Sequence, residues 1–108
     1  MVICTGGMSV DPDDKTPAAI RSVADKMITY GAPVLPGAMF LLAYTGENVP
    51  IMGLPGCVMY AKRTIFDLVL PRIICGEVLT PKDFQILGEG GLCLSCPSCT
   101  FPNCGFGK

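Results

Sequence analysis

The sequence predicts an α/β fold: a layered α/β/α sheet carrying a β-hairpin, followed by a Cys-rich irregular tail. Three observations predict it. A β-branched apolar run, Val2–Thr5, stops at the paired glycines Gly6 and Gly7. Apolar residues at helical spacing follow the pair Thr16–Pro17. Two further apolar runs, Met39–Tyr44 and Val49–Leu54, flank the turn-forming stretch "TGEN". Strand, helix, hairpin and second helix in that order bury their apolar faces by layering helices on a sheet.

Val2–Thr5 reads as a short buried strand and Gly6–Lys15 as a loop. Thr16 reads as an N-cap with Pro17 at the first helical position. Ile20, Val23, Ala24, Met27 and Ile28 then form one stripe, so the helix is expected to run until Gly31 ends it. Pro33 and Pro36 forbid a helix in the next segment. Met39–Tyr44 and Val49–Leu54 form the hairpin, with a turn of four or five residues around Gly46 and Asn48. "LPG" leads into a second helix expected from about Cys57 to Cys75, kinked or ended by Pro71 and closed by Gly76. "VLTPKDFQIL" reads as an extended connector. Residues 1–87 thus form the α/β domain and 88–108 a Cys-rich tail without a core of its own. The strand that opens the chain fits either a first strand or the later part of a larger domain.

Composition bounds the function. The chain has 108 residues, half of them apolar and 16% charged, which supplies a core for one domain. A net charge of −1 argues against a nucleic-acid partner. The absence of histidine excludes His-based triads and His-ligated zinc. No basic and apolar leader opens the chain, and Lys62, Arg63, Asp67 and Arg72 interrupt the longest apolar stretch. No membrane role is therefore expected. Seven cysteines without a secretory signal read as reduced thiols in a cytoplasmic protein, with metal binding as the alternative.

Two glycine turns, Gly6-Gly7 and Gly56, each follow a strand and open a helix. Free N–H groups and the helix dipole favour an anion there, and glycine lets the backbone approach it. Both turns would lie at the carboxyl ends of strands, where open α/β sheets bind ligands. The same glycines could instead serve only as tight turns. Asp11, Asp13 and Asp14 cluster before the helix. They fit a divalent cation such as Mg²⁺ beside a phosphate, or simple support of a helix N-terminus.

"TGGMSVDPDDKTP" followed by "VLPGAMFLLAYTGENVPIMGLPG" resembles the molybdopterin-binding domain of molybdenum cofactor biosynthesis proteins. Molybdopterin adenylyltransferases, molybdenum-insertion enzymes and gephyrin share that domain. The resemblance runs from about Val2 to Leu70. It implies that Thr5, Gly6, Gly7, Met8 and Ser9 form a pterin-phosphate loop, with Thr16 opening the helix behind it. It further implies that Asp14 is a catalytic or Mg²⁺-linked acid. Pro36 and Gly37 match the family's Pro-Gly hairpin element, and Leu54, Pro55, Gly56 and Cys57 its second ligand loop. Asp11 stands where the family often has glycine. Cys57 and Val58 replace an Asn or Ser that Pro often follows. The preceding strand–helix half of the family domain has no counterpart, so an incomplete domain with exposed apolar surface, and hence a homo-oligomer, is expected.

The tail "CLSCPSCTFPNC" places Cys93, Cys96, Cys99 and Cys104 at spacings x2, x2 and x4. Four thiols suit an Fe–S cluster or a Cys4 zinc site, the former being closer to the C-x2-C-x2-C run of ferredoxins. A reduced, mobile tail is the alternative. Cys4 and Cys75 read as buried small hydrophobes. Two functions follow from the resemblance. One is molybdopterin binding for adenylylation or molybdate insertion, with ATP or molybdate as co-substrate. The other is a non-catalytic pterin-binding sensor or scaffold with a metal in its tail.

Overall fold

The computed structural model describes residues 1–8 and 13–108. Expectations for Ser9 and Asp11 lie outside the described residues. β1 (Val2–Thr5) leads to α1 (Thr16–Val23), then to β2 (Lys26–Tyr30), β3 (Leu41–Tyr44) and β4 (Pro50–Leu54). A 3₁₀ turn at Gly56–Met59 precedes α2 (Ile65–Ile74), and α3 (Pro81–Gln85) runs into a second 3₁₀ turn at Ile86–Gly90. The four strands form one sheet in the order β1-β4-β3-β2. β1 pairs parallel with β4, while β3 pairs antiparallel with both β4 and β2. β1, β4 and β2 therefore point the same way.

The sheet separates two cores, as alternation along a strand requires. Leu42, Tyr44, Met52 and Leu54 face α2 and α3, where Ile65, Val69, Ile73 and Phe84 join them. Leu41, Ala43 and Ile51 face the other way, against Ile20 of α1 and Met8. This is the expected α/β/α layering, with the hairpin β3–β4 at its centre. Gly53 of β4 has no side chain because Met8 and Ile20 occupy that place: a Cβ there would stand 2.5 Å from Met8 Sδ.

Several expectations are corrected, beginning with β1, which is exposed at Val2, Ile3 and Thr5 and not buried. The first helix stops at Val23, and Met27 and Ile28 belong to strand β2. Pairing with β3 supplies the backbone partners that decide this. The second helix begins at Ile65, not Cys57. Thr64 caps it, accepting from Phe66 N–H at 3.1 Å while its own N–H donates to Asp67 at 2.8 Å. Pro71 lies inside α2, which continues to Ile74. The connector contains α3, opened by Thr80 and Pro81. The tail is joined to the main core: Phe106 is 4% exposed and packs within it. Cys75 lies at the exposed end of α2, and Cys4 is half-buried. Among the described residues, no helix is long and apolar enough to cross a membrane.

A cleft at the carboxyl ends of three parallel strands

Thr5 pairs in register with Leu54, so the turns that follow β1 and β4 emerge side by side. The loop after β2 leaves the sheet at the same end. Between these three segments lies a cleft of about 540 Å³. Met8 lines it from the first loop, residues 35–39 from the second, and Pro55, Gly56 and Cys57 from the third. Leu92 and Cys93 of the tail complete the wall. The volume falls within the roughly 300–1,000 Å³ usual for small-molecule sites.

Each wall segment is held in place by identifiable contacts. Gly6 and Gly7 both have positive φ, +80° and +67°, which permits the sharp exit from β1. Lys15, not Thr16, occupies the N-cap position of α1. The Thr16 hydroxyl instead donates to Gly6 O at 2.7 Å, tying the loop to the helix. Gly37, at φ +122°, lies against Ile65 at the start of α2, where a Cβ would collide with the isoleucine side chain. The tail is stitched to the same loop: Leu35 N–H donates to Gly91 O at 2.7 Å, and Cys93 N–H donates to Leu35 O at 2.8 Å.

The chemistry of the wall is mainly apolar, from Met8, Met39, Leu35, Leu92 and the prolines. Such a surface suits a flat ring system. At the Gly56–Met59 turn Val58 N–H donates to Pro55 O at 3.2 Å, and the N–H groups ahead of it have no partner inside the turn, as at any helix start. Burial pushes the Cys57 thiol up, so it stays neutral in the wall at physiological pH.

Of the residues singled out from the sequence, Met8, Pro36, Gly37, Pro55, Gly56 and Cys57 line the cleft. Thr5, Gly6, Gly7, Thr16 and Leu54 stand behind it and position it. Asp14 sits just ahead of α1, outside the described wall. Leu35, Ala38, Met39, Leu92 and Cys93 were not anticipated. Pro33 and Pro36 marked their loop, but the strand leading into it was read as helix. Nothing in the tail sequence signalled that it would reach the cleft. Among the described residues, no group of three or more Cys, Asp or Glu side chains could hold a metal ion. In the tail, the Arg63 guanidinium holds the Cys99 thiol below its ordinary range.

Sheet, loops and cleft together define an α/β domain with a cavity at the carboxyl ends of its parallel strands, where open α/β sheets take their ligands. The chain belongs to the molybdopterin-binding domain family: the family model described as a probable molybdopterin binding domain matches residues 1–74. Membership links the chain, at family level, to molybdenum cofactor biosynthesis. No curated protein and no solved structure matches the chain.

Proposed function

We propose that the cleft binds molybdopterin, with the pterin ring against Met8, Met39 and the prolines and the phosphate toward the two glycine turns. The observation that supports this reading is the in-register pairing of Thr5 with Leu54: the segments after β1 and β4 leave the sheet side by side, and Met8 from the first and Pro55, Gly56 and Cys57 from the second line one cavity. The residues fit the group: a flat ring meets apolar walls, and a phosphate meets backbone N–H donors at a turn. No geometry beyond this is assigned to the ligand.

Adenylylation or molybdate insertion is the finer part of the proposal. Mg²⁺ bound to phosphates needs only one or two protein carboxylates, and Asp14 at the head of α1 is the candidate. When bound, the ion would neutralise phosphate charge. Titration of molybdopterin into wild type and Asp14→Ala, with turnover assayed in the presence of Mg²⁺ and ATP or molybdate, tests both parts. The expected result is near-equal affinity with turnover reduced at least about tenfold, the factor that 1.4 kcal/mol of lost stabilisation produces. Binding without turnover in wild type would favour the non-catalytic sensor or scaffold. Absence of molybdopterin binding in wild type would refute the whole proposal.

A further inference from the structure

We propose that Cys93, Cys96, Cys99 and Cys104 together hold an iron–sulfur cluster of the four-iron, four-sulfide type. All four thiols line a single cavity of about 240 Å³ beneath the tail. None of the seven cysteines is in a disulfide. Cys93, Cys96 and Cys99 stand in the C-x2-C-x2-C spacing of ferredoxin cluster ligands, and Cys104 supplies the fourth thiol around the same cavity.

Two further features point the same way. First, the stretch from Leu94 to Thr100, which carries two of the thiols, lies between the anchored ends of the tail. It contains no helix or regular strand, and Leu94 is 77% exposed. A stretch that buries so little apolar surface gains order from a cross-link. Second, the cavity is lined by Arg63, whose guanidinium also pairs with Asp67 at 3.2 Å. Arg63 faces Cys99 and lies over the Phe101 ring at 4.9 Å. Its Nε is buried and has no acceptor among the described residues. A cluster with four thiolates is anionic, and its sulfurs accept N–H hydrogen bonds, so it supplies what Arg63 lacks. Glu89 also lines the cavity and, with the Asp67 carboxylate on Arg63, opposes an anionic cluster there. Leu92 and Cys93 belong to the walls of both cavities, so the cluster would abut the ligand cleft.

Anaerobic purification of the full chain, with iron, zinc and acid-labile sulfide analysis and a visible spectrum, tests this. About four iron and four sulfide per chain are expected, with a broad absorption near ~400 nm that dithionite bleaches. Cys96→Ser and Cys99→Ser should each lose most of the iron. Cys75→Ser, whose residue lies outside the cavity, should keep it. A ligand variant that fails to fold does not remove the test. Wild type stripped by a chelator should regain the band and the iron on incubation with ferrous iron, sulfide and a thiol reductant. The proposal is overturned by about one zinc per chain without iron or sulfide, by a wild type that stays metal-free through reconstitution, or by retention of iron in a folded Cys96→Ser, Cys99→Ser double variant.

Discussion

Tyr44 closes β3 and is 2% exposed, yet its hydroxyl is fully used. It accepts from Leu79 N–H at 3.1 Å and donates to Glu77 O at 3.5 Å. Both partners belong to the segment between α2 and α3, so one phenol pins that segment to the sheet. Tyr44→Phe strands a buried N–H while preserving the ring. It should lower stability by about 1–3 kcal/mol, measured as a shift of the urea midpoint with an unchanged slope. A midpoint equal to wild type would show that water replaces the hydroxyl. At this scale the sequence was informative about Gly6 and Gly7, read as the turn out of β1 and positive in φ at both positions, but Gly56 opens a 3₁₀ turn and not the second helix, which begins at Ile65. It was less informative about hydroxyls. Thr16 has the residue type of an N-cap, but its Oγ1 is drawn to Gly6 O across ten residues, a partner that only the fold reveals.

Between α2 and α3 the ties are ionic. Arg72 bridges Glu77 at 2.7 Å and Asp83 at 2.9 Å. Thr80 N–H donates to Asp83 at 2.7 Å, and this bond, with Arg72 beside it, holds the Asp83 carboxyl below its usual range. A depressed carboxylate stabilises fully above its unfolded pKa of roughly 4 and loses that contribution as pH falls through its lower folded value. Asp83→Asn should therefore be less stable than wild type at neutral pH, and the gap should narrow as the pH drops below about 4. Denaturant midpoints across that range check it. A gap independent of pH would assign the effect to packing. Elements were legible where pattern and pairing agree, as in the hairpin. They were misread where one apolar stripe served two structures: Ile20 packs from α1, whereas Met27 and Ile28 continue the spacing from β2. The capping boxes Thr64–Asp67 and Thr80–Asp83 were present in the sequence and mark the true starts of α2 and α3. The apolar content around Cys57 and the prolines of the connector hid them.

Across the whole molecule, the two sheet edges differ. β2 carries Lys26 and a register irregularity between Met27 and Thr29, both of which discourage further pairing. β1 is uncharged, and Val2 and Ile3 are 47% and 42% exposed. Self-association through β1 is expected on this ground. Sedimentation velocity should show a dimer that Ile3→Lys dissociates, and a monomeric wild type at high concentration would contradict it. The layering and the ends of the strands were legible from the order of elements. The tail's share in the cleft was not, because Leu92 and Cys93 reach it through backbone bonds to Leu35 that leave no sequence pattern. That one cavity unites the turns after β1 and β4 is the claim on which the functional reading stands. Gly56 tests it most directly: it is exposed, it lines the cleft, and a Cβ there meets nothing within 4 Å. Gly56→Asp should fold normally and place a carboxylate where the phosphate is proposed to lie. A like charge at close range costs several kcal/mol at an effective dielectric of about 20, so molybdopterin affinity should fall at least about tenfold. Titration curves that superimpose for the variant and wild type would contradict the account.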